Sequence, residues 1–506
     1  MNDQSYNIRG FYIIGRETVN KGDISFVQGA LEKKIIKFVF PLIVAYLIQQ
    51  AYNSADLIIA GHYIGKNASA AIGSGSMVIT LAIGLFGGLS MGVGMLYARA
   101  CGANDYKRKK EIYRYTNVLA VCLGFVITVL GYIFTPWILM LMQTPDDIFE
   151  LAITYLRIYL ISITFMAIFN MFSGMSRASG NSRTPMIYQS ISGGMNVALD
   201  LLLINITDNG IGAVAWATVI SQGISAFLMM RYMRKNIKAQ NFDMKYDENI
   251  IDSTVKNEEN YTAGMINAKN ENDGTIDRLS KKEDVIGEKS ILGAVFILGL
   301  PVSIQTMVVT ISNMFVQANI NALGVDAISA FTAYFKIELF MYYPILSIGQ
   351  AVMYAMSQNI GAGKVERLDL VMKTCIKTGL MIIIPIEAAT LIFGNFLFGI
   401  FNSDLSVIDL GLRIIYTTVP FYWIYLILEC MSNGVRAVGR SALATTVSVF
   451  SFVVMRSLLL ILISVIHVQT VVSVALIYPI TWGAAAVLYT ISWNMCRSVY
   501  KRNVKI

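Results

Sequence analysis

Histidine and cysteine are scarce in this chain: two of the one and five of the other in 506 residues. His62 and His467 each stand alone at the end of an apolar run. Cys101, Cys122, Cys375, Cys430 and Cys496 show no paired spacing. That scarcity argues against a haem, a zinc site, a disulfide framework and a histidine-based hydrolase, and no cofactor is expected. Charge is thin as well. Asp, Glu, Lys and Arg make up 14% of the chain, where soluble proteins carry about a quarter.

Apolar residues fill the space, at 55% of the sequence. Apolar runs of about 18 residues or more recur along the whole length, which marks a polytopic membrane protein. Twelve helical spans are read, at about 35–60, 70–98, 114–135, 148–174, 184–206, 211–233, 290–321, 327–358, 370–393, 408–433, 441–466 and 470–495. Strands are excluded by run length, since a barrel strand takes only about ten alternating residues. The first apolar run begins only near Ile35, and no small-residue cleavage site follows a short core, so no cleavable signal peptide is expected.

Lys and Arg set the orientation. One set of short loops holds Arg99, Lys107 to Lys110, Arg114, Arg177, Arg183, Lys364, Arg367, Arg436 and Arg440; the other holds little besides Lys66. The basic set, with both termini, is expected in the cytoplasm of a bacterial cell. The net charge of +8 is then an orientation signal rather than a nucleic-acid surface. The polar stretch 236–289 carries 12 acids and 8 bases without apolar periodicity, and reads as a partly disordered cytoplasmic linker. The expected organisation is a cytoplasmic lead (1–34), a six-helix lobe (35–235), the linker (236–289), a second six-helix lobe (290–496) and a tail (497–506), working as a monomer in contact with membrane lipid.

The two halves match. Gly65 pairs with Gly324, Gly102 with Gly361, Arg177 with Arg436 and Gly180 with Gly439, each 259 residues apart. A constant offset across four landmarks implies an all-α membrane protein of two pseudo-symmetric six-helix lobes. Both lobes run in the same direction, around a central cleft.

A carboxylate in the middle of a membrane helix costs about 2.5–3.5 kcal/mol on insertion scales, so each acid held there is a candidate for function. The membrane acids are Asp56, Asp200, Glu338, Glu387 and Glu429. Asp56 on the first span and Asp200 on the fifth lie at similar depth below the outer surface. Tyr52 and Asn196 stand four residues before them on the same helix faces, and Thr218 on the sixth span reaches the same depth. If these helices adjoin, the five side chains form one polar cluster. Moving 259 residues on from Asp56 and Asp200 gives Phe315 and Leu459, so the acids were not kept in both lobes. Gln49, Gln305, Lys336 and Glu338 are further cleft candidates, although Lys336 and Glu338 point to different faces. Arg157 and Arg413 sit near helix ends and are expected to snorkel. Arg456 is deeper and has no assigned role, nor have Glu387 and Glu429. The 26 Met, 26 Tyr and 25 Phe can supply an adaptable cleft wall.

The segments FPLIVAYLIQQAYNSADLIIAGHYIG, GMSRASGNSRTP, MNVALDLLLI, LPVSIQ, QNIGAGKVER and GVRAVGRS, in this order and spacing, resemble the multidrug and toxic compound extrusion (MATE) transporters. The likeness covers nearly the whole chain except the lead and the linker. It implies two helical bundles and cation-coupled export of organic, often cationic, small molecules. It also implies an N-lobe site, because Tyr52, Asp56, Asn196, Asp200 and Thr218 match the pattern of that branch position by position. The sodium-type branch keeps a Glu on its seventh helix. The seventh span here, LGLPVSIQTMVVTISNMFVQANIN, has none.

Two close carboxylates in a low-dielectric pocket cannot both ionise cheaply, so the pair is expected to titrate as a unit. Protonation from outside would neutralise the cluster and release a cationic substrate, and Pro41 would permit a kink in the first helix. Moving one charge across 100 mV supplies about 2.3 kcal/mol. Sodium is the other candidate ion, since Asp56, Asn196, Asp200 and Thr218 offer hard oxygen ligands. A lipid-linked oligosaccharide flippase of the same architecture is the alternative, and it would want a cationic cleft for pyrophosphate. A membrane-embedded enzyme is the second alternative, and it lacks a metal motif or nucleophile elbow.

Overall fold

The computed structural model describes residues 23–207, 210–259 and 290–504, and among them there is no strand. Twelve of its helices are long and apolar enough to cross a membrane. They are α1 (Leu31–Ile59), α2 (Lys66–Gly102), α3 (Tyr106–Leu141), α4 (Asp146–Ala178), α5 (Arg183–Ile206), α6 (Gly210–Glu259), α7 (Ile291–Asn321), α8 (Val325–Gly361), α9 (Leu368–Ile392), α10 (Leu405–Ala437), α11 (Ser441–Val465) and α12 (Val471–Val504). A short helix, Gly394–Phe401, joins α9 to α10 and was not read from the sequence. Within α10 a 3₁₀ turn at Val419–Phe421 contains Pro420, which has no N–H to give to a helical hydrogen bond.

Helix starts follow local chemistry. Asp105 caps α3 by accepting from the Arg108 N–H at 2.8 Å, Ser290 caps α7 from Gly293 at 3.2 Å, and Asp404 caps α10 from Ser406 at 2.9 Å. Pro41 lies inside α1, yet the helix runs through it unbroken. The helix α6 continues into the polar stretch as far as Glu259, which the lack of apolar periodicity had marked as linker; extending a formed helix is far cheaper than nucleating one. The rest of that linker, 260–289, lies outside the described residues, as does the lead before Asp23.

In the N-terminal lobe α1 packs on α5, α5 on α6, and α4 on α2, α3 and α6; in the C-terminal lobe α10 packs on α8, α9 and α12, and α7 on α11. The lobes meet where α2 crosses α7 and α8, and where α1 crosses α8. Small residues allow that crossing: a Cβ at Gly92 would stand 2.8 Å from the backbone of Gly299 and Val295. The close approaches of α2 to α7, at Gly88 and Gly92, lie on the half of α2 leading to Gly102, the face where the described chain begins and ends (the chain-end face).

The repeat shapes this closed face. Gly180 and Gly439 on this face share positive φ (93° and 90°), as Gly65 and Gly324 do at the opposite face (124° and 95°). A Cβ at Gly102 would overlap the carbonyl of Gln358, and one at Gly361 that of Arg99. Arg99 and Gln358 are themselves repeat equivalents, and each donates across the lobes to the last residue of α10 or α4. Arg99 Nη2 reaches the Ala437 carbonyl at 2.9 Å, and Gln358 Nε2 the Ala178 carbonyl at 2.8 Å. Residues 23–29 lie over this junction as a strap. Phe26 is fully buried, its N–H donates to Gln358 Oε1 at 2.9 Å, and its carbonyl accepts from Asn359 Nδ2 at 3.2 Å. Burial pushes the Asp23 carboxyl up to about 6, against the opposing pull of a hydrogen bond from Asn181 and the charge of Lys109.

Candidate functional site

Between the lobes lies a cavity of about 500 Å³. Its charged wall residues are Asp56, Arg177 and Glu429, and much of the rest is aromatic: Tyr46, Tyr52, Tyr155, Tyr159, Phe169 and Tyr342. The C-lobe contributes Tyr342, whose neighbour Tyr343 stacks on Tyr46 at 5.1 Å and donates to Gln50 Oε1 at 3.3 Å.

The five-residue cluster expected from helix depths comes together here. Helices α1, α5 and α6 adjoin, and Asp56, Asp200, Asn196, Tyr52 and Thr218 are all buried. The carboxyl groups of Asp56 and Asp200 face each other within hydrogen-bonding range. Asp56 lines the cavity, and Asp200 sits behind it. Asn196 Nδ2 donates to Thr218 Oγ1 at 3.3 Å, and that hydroxyl turns back to the Val214 carbonyl at 3.2 Å. The Tyr52 hydroxyl accepts from Gln189 and Gln222, both at 3.4 Å. The ring of Tyr52 lies so near α5 that a Cβ on Gly193 would stand 3.1 Å from it.

The cluster is rich in acceptors and short of donors. Among the described residues no donor reaches Asp56 Oδ1, either carboxyl oxygen of Asp200, or Asn196 Oδ1, although all are buried. Buried polar atoms are nearly always paired, because an orphan forfeits its whole hydration energy. A set of facing oxygens without protein donors is the arrangement that a proton or a small hard cation satisfies.

Among the other candidates, Gln49 lines this cavity, and Gln305 and Glu338 line a second one in the C-lobe, where Gln305 Oε1 accepts from Arg436 Nη2 at 2.9 Å. Lys336, expected in the cleft, is exposed and lines neither cavity, since a residue two positions from Glu338 on a helix faces away from it. Arg157 covers the Tyr132 ring at 4.9 Å, and Arg413 pairs with Asp409 at 2.9 Å on the surface. Sequence reasoning passed over Gln189, Gln222, Tyr155 and Tyr159. The two glutamines were detectable as amides inside apolar spans; the tyrosines were lost among 26.

Comparison with known proteins agrees with the architecture. The MatE family model matches residues 41–202 and 301–462, one match in each lobe. The chain is 26% identical over 418 residues to the probable multidrug resistance protein YoeA of Bacillus subtilis, covering 82% of this chain and 83% of that one. It is 20% identical over 424 residues to the multidrug export protein MepA of Staphylococcus aureus, covering 84% and 85%. In fold it is similar to the outward-facing conformation of a multidrug resistance MATE family transporter of the MOP superfamily, with a TM-score of 0.79 at 21% identity, over 96% of this chain and all of that one. With twelve spans in two lobes and a family match that covers most of both, the chain is a member of the MATE family of membrane transporters.

Proposed function

We propose that the protein is a cation-coupled antiporter of the bacterial cell membrane, with both termini cytoplasmic, that exports organic cationic or amphiphilic compounds. The observation that carries this reading is the buried pair Asp56 and Asp200, where Asp56 Oδ1 and both Asp200 oxygens have no donor among the described residues. Two facing carboxylates shielded from water need a counter-charge. A proton held between them supplies it, with Asp56 as the door to the cavity and Asn196, Thr218 and Tyr52 fixing the geometry. Sodium is the competing ion, ligated by Asp56, Asn196, Asp200 and Thr218.

The cavity walls suit the cargo: two acids against one arginine, and six aromatic rings able to hold a cation by their faces. An acidic wall disfavours the pyrophosphate of a lipid-linked sugar. The exchange then runs as follows. With the chain-end face shut, the cavity looks outward. A proton entering from outside neutralises the pair, and the cationic cargo loses its counter-charge and leaves. The lobes then rock about the crossing of α2 with α7, the proton leaves to the cytoplasm, and the pair is free to attract the next cation.

The test is transport in proteoliposomes loaded with a fluorescent organic cation at clamped membrane voltage. An imposed proton gradient, acidic on the side that receives cargo, is expected to drive export in the absence of sodium. Export driven by a sodium gradient and indifferent to the proton gradient would assign the site to sodium. Export indifferent to both would overturn the coupling role of the pair.

A further inference from the structure

The N-lobe cluster leaves Arg456 without a task. This side chain is 4% exposed and lines the second cavity, about 610 Å³ in the C-lobe, which shares Thr306, Tyr342 and Glu429 with the first. Its place in the repeat is informative. In α5 the buried positions include Gln189, Ser192, Asn196 and Asp200; in α11 they include Ser448, Ser451, Arg456 and Leu460. The spacing between lobes is 259 for the first two pairs and one more for the last two. The π turn Phe450–Met455 absorbs the extra residue. Arg456 therefore stands where the N-lobe has Asn196, and Leu460, rather than the Leu459 expected from a constant offset, stands where it has Asp200. The second lobe carries a guanidinium where the first carries the Asn196 amide of the proposed coupling cluster.

That cation is incompletely matched. Nη1 donates to Asn313 Oδ1 at 3.2 Å and Nη2 to Thr481 Oγ1 at a long 3.5 Å, while buried Nε has no partner among the described residues. The guanidinium lies over the rings of Tyr478 (4.8 Å) and Phe452 (5.4 Å). Among the described residues no carboxylate comes within ion-pair distance of it. The other charged groups on this cavity are Glu338, Glu429 and Arg436. Glu429 accepts from Asn433 Nδ2 at 2.7 Å, and Arg436 is held by Gln305 (2.9 Å) and Asn433 (3.3 Å). A buried guanidinium bonded only to neutral groups is costly unless an anion arrives to pair with it. A planar fork of N–H groups beside an aromatic wall selects a planar oxyanion on an aromatic body.

We propose that Arg456 is an anion subsite for the carboxylate of an aromatic substrate, so that molecules carrying both a cationic group and a carboxylate span the two adjoining cavities. The inference deepens the export reading by naming a substrate class, and its test needs no ion gradient.

Two rhodamine probes differ only at one group: rhodamine 110 has a free carboxylate, and rhodamine 123 is the methyl ester. Their equilibrium binding to purified full-length protein is followed by fluorescence anisotropy. Arg456→Gln is expected to weaken the carboxylate probe at least about tenfold and leave the ester unchanged, which also certifies the fold. Arg456→Lys should fall between, keeping the charge without the fork. Glu338→Gln should tighten the carboxylate probe by removing an opposing charge. Equal loss of both probes in Arg456→Gln, or no loss of either, would overturn the assignment. So would a weakening of both by Glu338→Gln, which would mark the two residues as an internal pair. Repeating the comparison in Asp56→Asn separates the claims: a failed coupling site leaves the difference between probes intact.

Discussion

Removing the Gln358 side chain should release the closed face. Its amide makes two buried bonds that join the lobes and the strap, to the Ala178 carbonyl at 2.8 Å and from the Phe26 N–H at 2.9 Å. In Gln358→Ala both backbone groups lose their partner. Each orphan costs about 1–3 kcal/mol, reduced where water enters the gap. A net cost of about 2–4 kcal/mol falls on this conformation alone, because a conformation open at that face wets both groups. At 1.4 kcal/mol per tenfold, the balance between closed and open chain-end faces should move by about 30- to 1000-fold. Spin labels at Lys107 and Glu366, exposed repeat-equivalent sites on that face, would report it as a longer distance population by pulsed electron resonance. A distance distribution identical to that of the parent pair would refute the view that these bonds hold the lobes shut. Loss of the fold would show separately, as a collapse of the melting temperature.

Other consequences follow from the same contacts. Gly102→Val should act in the same direction as Gln358→Ala and more severely, since its side chain overlaps the Gln358 carbonyl; the same label pair would detect it. Asp23 has a carboxyl raised from 3.8 to about 6, so its neutral form is the one the fold prefers. Its contribution to stability is fully present below pH 3.8 and is lost as pH rises to about 6. The total is about 3 kcal/mol, of which about 2 kcal/mol goes between about pH 4.5 and about pH 7.5. Asp23→Asn should therefore melt higher than wild type near neutral pH and lose that advantage in acid, in paired thermal melts. Gly193→Ala places a methyl 3.1 Å from the Tyr52 ring and should push it off Gln189 and Gln222, slowing export without lowering expression, as measured by dye efflux against protein level.

Much of this architecture was legible in the residues because membrane helices obey two strong constraints. Length and hydropathy set the twelve spans, and repeated glycines with positive φ, such as Gly65 and Gly324, betray the duplication. The polar cluster was legible for a related reason: Asp56 and Asp200 are costly where they are, and helix rise alone puts them at one depth. The strap was not legible. Residues 23–29 have no periodicity, and their partners lie more than 300 positions away, at Gln358 and Asn359. Nor was the π turn at Phe450–Met455, which adds one residue and no distinctive composition, yet decides that Arg456 rather than its neighbour faces inward. Lys336 was grouped with the cleft even though its two-residue offset turns it away from Glu338, and on that other face it is exposed.

The most direct measurement counts protons. Detergent-purified protein in weak buffer with a pH-sensitive dye is mixed with a monovalent organic cation. If the cation and the proton compete for the charge of Asp56 and Asp200, binding should expel about one proton per protein, and Asp56→Asn or Asp200→Asn should expel none. Undiminished proton release in both variants would place the exchanged proton elsewhere and contradict the account.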